Sequence, residues 1–107
     1  MLGEHLLGIY EKAFDTLDSW ETRLNKAKEL GFDYLEISID ESDERLARLA
    51  WTAEQMEMLR RKSYDAHMPI RSMCLSAHRR FPFGSADPAV RAKAYALMER
   101  AITLADA

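Results

Sequence analysis

A strand-like segment followed by a helix-like segment occurs three times along this chain. The strand-like segments begin near Leu6, Tyr34 and Ile70, about 28 and 36 residues apart. Each is followed by residues whose apolar positions recur at helical spacing. Consecutive strand–helix units connect through right-handed crossovers, so the pattern predicts an α/β fold with parallel strands and helices on one face of the sheet.

The strands alternate between an apolar and a polar face. In Tyr34–Ile39, Glu36 lies on the face opposite the apolar residues Leu35, Ile37 and Ile39. In the third strand the same period of two gives an apolar face of Met73, Leu75 and Ala77. Its polar face then holds Ile70, Ser72, Cys74, Ser76 and His78. We expect the apolar faces to pack under helices and the polar faces to line a barrel interior that opens at His78.

Capping patterns predict where the helices begin and end. Asp18–Glu21 and Thr52–Gln55 resemble capping boxes, and Asp87 followed by Pro88 is typical of a helix start. Gly31 predicts the end of the first helix, and Pro69 the end of the second. The charged run Asp40–Arg48, which follows the second strand, is expected to be a solvated surface with a short helical turn after Ser42.

Composition excludes several classes of protein. The chain has 107 residues, of which 48% are hydrophobic and 31% charged, which is typical of a globular domain in solution. A net charge of -3 disfavours binding to nucleic acid. The single cysteine, Cys74, cannot form an internal disulfide, which favours a cytoplasmic protein. No apolar run approaches the roughly 18–20 residues of a membrane span.

Three strands cannot close a barrel, and an eight-unit TIM barrel needs about 200–250 residues. We therefore expect residues 1–107 to be the N-terminal part of a single TIM-barrel domain, truncated after its third helix. Both edges of its sheet would then lack neighbouring strands, and the isolated piece would be only marginally stable.

Four segments carry a resemblance to a known family: Leu7–Ala13, Leu35–Glu41, Asp43–Leu49 and Ser72–Ser85. They are similar to the N-terminal part of the L-ribulose-5-phosphate 3-epimerases, also called L-xylulose-5-phosphate 3-epimerases, isomerases of L-ascorbate degradation. One departure from the family pattern is Lys62–Arg71, which lacks the glycine expected at the end of the second helix.

The resemblance implies a xylose-isomerase-like TIM barrel that acts on a ketopentose phosphate, in a homo-oligomer. It also implies a divalent metal, Mn, Mg or Zn, between two glutamates that exchange the proton at carbon 3. In the family these glutamates and the metal ligands lie on later strands. We therefore expect residues 1–107 to hold no catalytic residue and no metal, and to be inactive alone.

The candidate substrate-binding residues of this segment lie near the ends of the strands. His78 is expected beside the barrel mouth, either in contact with the substrate or bracing the loop. Arg79 and Arg80, with the Gly84–Ser85 turn, could meet a phosphate, or they could pair with the acidic residues of 40–44. For Glu36, Tyr10 and Glu11, a structural role inside the barrel is favoured over substrate contact.

Two other classes of function stay open from the sequence alone. The chain could be a non-enzymatic module that self-associates through its open sheet edges. It could also belong to a related barrel, a keto-sugar isomerase or an abasic-site endonuclease. The absence of a basic stripe in the sequence disfavours the nuclease.

Overall fold

A three-stranded parallel sheet forms the centre of the fold in the computed structural model, which describes residues 5–107. The strands lie in the order β1-β2-β3, with bounds Gly8–Tyr10, Tyr34–Ile39 and Ile70–Leu75. The helices are α1 Trp20–Glu29, α2 Asp43–Leu46, α3 Ala53–Asp65 and α4 Pro88–Asp106. Three 3-10 turns lie at Glu11–Ala13, Ala47–Ala50 and Ala77–Arg79. The predicted parallel α/β architecture is confirmed.

The core lies between the sheet and its helices. Leu35 of β2 packs with α1 in a buried cluster completed by Leu24, Ala27 and Met68. Ile39 of the same strand packs with α4 in a second cluster completed by Leu49, Ala77, Leu97 and Ala101. The alternation predicted for β2 is therefore confirmed, because its three aliphatic residues are all buried on the helix side.

An irregularity at the start of β3 changes one predicted face. Leu35 pairs with Ile70, but the next residue, Glu36, pairs with Ser72, so Arg71 is an extra residue in β3. Ile70 consequently packs beside Leu35 on the helix side, and the prediction that it shares the polar face was wrong. The predicted alternation of faces fails there because the bulge inserts one residue, so the residue before the bulge lies on the opposite face from the one predicted.

The first strand is shorter than Leu6–Tyr10, the range the sequence suggested. Leu6 and Leu7 precede it and are 47% and 37% exposed. Gly8 pairs directly with Tyr34, and a Cβ added to Gly8 would lie 2.3 Å from Cζ of Tyr34. A glycine is therefore required for the Tyr34 ring to lie against the β1 backbone.

The helix starts largely follow the capping patterns. Thr52 and Gln55 form a reciprocal capping box at α3, and Asp87 caps α4 with proline in its first turn. At α1 the capping residue is Ser19, whose hydroxyl accepts from the backbone N–H of Thr22. The capping box predicted to start at Asp18 was therefore one residue early. None of the helices in residues 5–107 is long and apolar enough to cross a membrane.

A histidine occupies the position where a glycine is expected between α3 and β3. α3 ends at Asp65 with Ala66 as its C-cap, and the next residue, His67, has a φ of 53°. This left-handed conformation is the one that ends many helices and usually belongs to glycine. α3 therefore ends in the common left-handed conformation, but with a histidine at the position that favours glycine.

Substituting His67 with glycine is expected to stabilise the fold by about 0.5–1 kcal/mol, because it removes the left-handed strain of a side chain that is exposed. Urea unfolding of the His67→Gly variant would measure the gain. His67→Ala is the matched control, since it removes the same imidazole but keeps a Cβ. Equal stabilisation by both variants would show that the gain does not come from relieving the left-handed backbone conformation at residue 67.

Candidate active site at the carboxyl ends of the strands

The three parallel strands end at one edge of the sheet, and polar residues cluster there. We call this edge the mouth and define it by Tyr10, Lys12, Ser38, Asp40 and Cys74. Tyr10 ends β1, Asp40 directly follows β2, and Cys74 is the penultimate residue of β3. In parallel α/β folds this edge is where ligands bind.

Tyr10, Ser38 and Cys74 form a contact across the polar face of all three strands. The Tyr10 hydroxyl donates to Oγ of Ser38 over 2.7 Å, and the thiol of Cys74 lies within hydrogen-bonding reach of the same hydroxyl. Burial raises the pKa of Tyr10, the bond to Ser38 opposes that effect, and Cys74 adds to it. Tyr10 therefore remains a neutral phenol at neutral pH and can donate a proton in a hydrogen bond.

Glu36 lies on the same polar face, away from the helices. The hydroxyl of Ser72 on β3 donates to Oε2 of Glu36 over 2.6 Å. The carboxylate is only partly buried, and it can accept further hydrogen bonds. Its contact is the structural hydrogen bond favoured from the sequence, and acceptor capacity remains for a ligand.

Asp40 is the most strongly perturbed acid at the mouth. Its side chain accepts from Lys12 Nζ at 2.7 Å and from both the backbone N–H and the hydroxyl of Ser42. Burial alone would raise the pKa of Asp40, but the hydrogen bonds from Lys12 and Ser42 outweigh it and hold the pKa far below its usual value. Asp40 is therefore a permanent anion at physiological pH.

The prediction that residues 40–48 form a solvated surface was wrong at both ends of the run. Asp40 is 5% exposed and Arg48 is 6% exposed. A run of charges looks like solvent-facing surface in a sequence, but here each buried charge has a partner elsewhere in the chain. The helical turn after Ser42 is confirmed, with Ser42 capping α2.

Glu11 is buried in an ion network on the helix side of the mouth. Its carboxylate accepts from Arg23 of α1 at 3.1 Å, from Arg48, and from the backbone N–H of Ser38 at 2.5 Å. The guanidinium groups of Arg23 and Arg48 both lie over the ring of Trp20. Glu11 therefore connects β1, β2 and α1, and both of its oxygens are used for that purpose.

His78 lies in the 3-10 turn after β3 and not on the strand, because β3 ends at Leu75. Its Nε2 is 2.9 Å from the carbonyl oxygen of Ala94 in α4, and its ring stacks on Phe83 at 4.3 Å. Continuing the strand alternation to His78 was therefore incorrect. The contacts of His78 correspond to the alternative interpretation, in which the histidine braces the loop after β3.

Of the two arginines after His78, Arg80 contacts the acidic run that follows β2. Arg80 donates to Oδ1 of Asp43 at 2.6 Å, and its guanidinium lies over the ring of Phe81. For Arg80 this is the pairing with the acidic run that the sequence left open. Arg79 is exposed at the end of the 3-10 turn.

The described residues by themselves do not form a metal site. Within 5–107, no three His, Cys, Asp or Glu side chains come close enough together to hold a metal ion. At the mouth, Asp40 is the only carboxylate of the set defined above, and Lys12 and Ser42 already occupy its oxygens.

Sequence reasoning missed three charged residues at or beside the mouth: Lys12, Asp40 and Arg45. Asp40 directly follows the last residue of a strongly alternating strand, and Lys12 is two residues beyond the end of β1. A charge immediately after a buried strand was the available signal. It was overlooked because the acidic run in which Asp40 lies was interpreted as surface.

Comparison with known proteins gives one family and a consistent set of relatives. The sequence model of the family described as xylose isomerase-like TIM barrel matches residues 24–107. The chain is 55% identical over 101 residues to an Escherichia coli K12 protein provisionally named L-ribulose-5-phosphate 3-epimerase SgbU. It is 52% identical over 99 residues to L-ribulose-5-phosphate 3-epimerase UlaE of Escherichia coli O139:H28.

These matches cover 94% and 92% of this chain. They cover 35% of each relative, so the chain spans about a third of the length of the curated relatives that it matches.

Proposed function

Because this chain belongs to the xylose isomerase-like TIM barrel family, we propose that it forms the first three strand–helix units of a sugar-phosphate 3-epimerase. The observation that carries the proposal is the 52–55% identity to relatives named L-ribulose-5-phosphate 3-epimerase, over more than nine-tenths of the chain. The three-stranded parallel sheet with its polar carboxyl-end mouth supports it, since TIM-barrel enzymes bind substrates at that edge.

The proposed reaction interconverts L-ribulose 5-phosphate and L-xylulose 5-phosphate. These sugars differ in configuration at carbon 3, so the enzyme must remove the carbon 3 proton and return one to the opposite face. Groups that move this proton, and the residues of the implied divalent metal site, would come from outside residues 5–107. The isolated segment is accordingly proposed to be inactive.

The segment's proposed contribution is one side of the substrate pocket. Tyr10 and Glu36 present a hydroxyl and a carboxylate group on the polar face of the sheet, and the buried Ser38 accepts a hydrogen bond from the Tyr10 hydroxyl. Such groups can hydrogen-bond the hydroxyls of a ketopentose. Of the candidates from the sequence, Tyr10 and Glu36 are best placed to contact substrate, while Glu11 and Arg80 are engaged in ion pairs and His78 braces a loop.

The complete gene product should exchange the carbon 3 proton of L-xylulose 5-phosphate with solvent. Incubation in D₂O with Mn²⁺ or Mg²⁺, followed by proton NMR after removal of the metal, should show loss of the carbon 3 signal and appearance of L-ribulose 5-phosphate. Residues 1–107 alone serve as the control and should give no exchange. The proposal fails if the complete product exchanges carbon 3 in neither sugar phosphate.

The same spectra distinguish a related barrel of different chemistry. A keto-sugar isomerase would move a hydrogen from carbon 1 to carbon 2 and form an aldose, with the carbon 3 signal intact. That result would be compatible with the xylose isomerase-like family but would overturn the proposed 3-epimerase activity.

A further inference from the structure

We infer that Glu11 and Arg48 are positioning residues of the proposed epimerase. Together they hold the backbone of Ser38, and Ser38 in turn holds the hydroxyl of Tyr10. Both charged residues are buried on the helix side of the sheet, so they act without touching a ligand on the polar face. This inference rests on the proposed function, because it explains how one side of that substrate pocket keeps its geometry.

The first strand ends before it can pair with Ser38. Tyr10, the last residue of β1, pairs with Glu36, whereas β2 continues to Ile39. On the other side, β2 stays paired with β3 up to Ile39, whose carbonyl oxygen accepts from the backbone N–H of Ser76. Successive residues of a strand direct their backbone groups to opposite neighbours. The N–H and C=O of Ser38 therefore point to the β1 side, where that strand has already ended.

A pair of side chains takes the place of the missing strand. Oε1 of Glu11 accepts from the backbone N–H of Ser38 at 2.5 Å, and NH1 of Arg48 donates to the carbonyl oxygen of Ser38 at 2.8 Å. Without these two contacts, both backbone groups would be buried and unpaired, which native proteins avoid. Glu11 and Arg48 therefore extend the hydrogen bonding of β2 past the end of β1.

The ion pair itself has little freedom to move. Two nitrogens of Arg48 donate to the two oxygens of Glu11, and Arg23 donates to Oε2 at 3.1 Å. The Arg48 guanidinium also lies 4.9 Å from the ring centroid of Trp20 and 5.9 Å from that of Trp51. A planar fork that makes two bonds to one carboxylate fixes orientation as well as distance. A lysine ammonium at the same place would keep the charge and lose that orientation.

Ser38 transmits this fixed position to Tyr10. The buried hydroxyl of Ser38 accepts from the hydroxyl of Tyr10 at 2.7 Å. Tyr10 also directly precedes Glu11 in the chain, so the ion network anchors its backbone as well. The tyrosine ring is consequently held at both ends on the polar face. A displacement of about 1 Å in a group that contacts substrate can lower a rate about 100-fold.

A double-mutant cycle in the complete gene product tests this coupling. Arg48→Lys should lower kcat/KM for L-xylulose 5-phosphate roughly 10- to 100-fold, because it removes the fork and keeps the charge. Tyr10→Phe should also lower kcat/KM, and in that background Arg48→Lys should change it by less than about 3-fold. Arg60→Lys is the matched control, since Arg60 is exposed on α3, and it should leave kcat/KM unchanged in both backgrounds.

Non-additivity separates positioning from general support of the fold. A variant that only reduced the fraction of folded enzyme would lower activity by the same factor whether or not the Tyr10 hydroxyl is present. Ser38→Ala removes the acceptor for Tyr10 and keeps both backbone contacts to the network, so it should show the same non-additivity. Circular dichroism would establish that the variants are folded. If Arg48→Lys is not folded, Ser38→Ala and Glu11→Gln carry the cycle.

A fluorine label gives a readout that does not need catalysis. With 3-fluorotyrosine in place of Tyr10, Arg48→Lys should shift or broaden the ¹⁹F NMR signal of the complete product, because the hydroxyl loses its fixed partner. The same label at Tyr64, which is exposed in the last turn of α3, is the control and should not respond.

The outcomes separate the two proposals. An active epimerase in which folded Arg48→Lys keeps the wild-type kcat/KM, or lowers it equally in both backgrounds, would overturn the positioning role and leave the function intact. An unchanged fluorine signal at position 10 would likewise overturn that role. A wild-type product without exchange at carbon 3, whose fluorine signal still responds to Arg48→Lys, would overturn the function and support the anchoring of Tyr10.

Discussion

Replacing Glu11 with alanine is expected to lower the free energy of unfolding by about 3–5 kcal/mol, because it leaves two buried guanidinium groups without their counter-charge. Glu11 is 1% exposed, and Arg23 and Arg48 are 4% and 6% exposed. The backbone N–H of Ser38 would lose its acceptor as well. Urea unfolding followed by circular dichroism would measure the change.

Two further variants separate the charge from the side chain. Glu11→Gln keeps the shape and some hydrogen bonds but removes the charge, so we expect a large part of the loss. Glu54→Gln is the control, because Glu54 is exposed in the first turn of α3 and should change stability by less than about 0.5 kcal/mol. A Glu11→Ala chain as stable as the Glu54 variant would show that the network contributes little.

Replacing Asp40 with asparagine is expected to cost about 2–3 kcal/mol at neutral pH, since charge-assisted hydrogen bonds from Lys12 and Ser42 are weakened or lost. Lys12 and Arg45 would also be left to repel each other across a neutral side chain. Urea unfolding at pH 7 would measure the loss. Asp65→Asn at the exposed end of α3 is the control, with an expected change below about 0.5 kcal/mol.

The effect of Asp40 on stability should depend on pH in one direction. Its pKa is lowered in the folded chain, so between the folded and unfolded pKa values the unfolded chain binds more protons. The stabilisation is therefore complete above the unfolded value of about 4 and is lost progressively as the pH falls from there through the lower pKa of the folded chain. Wild type and Asp40→Asn should converge in stability toward low pH. A difference that stays constant from pH 7 to pH 3 would contradict this interpretation.

These two networks together explain how a short polar edge is kept in place. Glu11 holds the end of β1 to β2 and α1 from the helix side, and Asp40 holds Lys12 and α2 at the mouth. The arrangement leaves Tyr10 and Glu36 on the open polar face, where substrate contact is proposed. Losing either anion should therefore disturb the site through the positions of these residues as well as through stability.

The sequence by itself determined the local elements. Alternating Leu35, Ile37 and Ile39 identify a strand with one buried face, because the side chains of a strand point to opposite sides in turn. Two helix starts are specified by capping residues. Thr52 and Asp87 accept hydrogen bonds from free backbone N–H groups of the first turn, and Pro88 has no N–H that needs a partner. Three strand–helix repeats then leave few topologies other than a parallel sheet.

Only the tertiary structure decided which charges are buried and which residues meet. Glu11 and Arg48 are 37 residues apart, and whether a charge is solvated or paired depends on partners that no local pattern contains. The bulge at Arg71 and the left-handed His67 were likewise invisible, because each depends on how neighbouring strands and helices must join. For the same reason, the ion pairs of Lys12 and Arg45 with Asp40 could be recognised only when the fold placed the ends of β1 and β2 side by side.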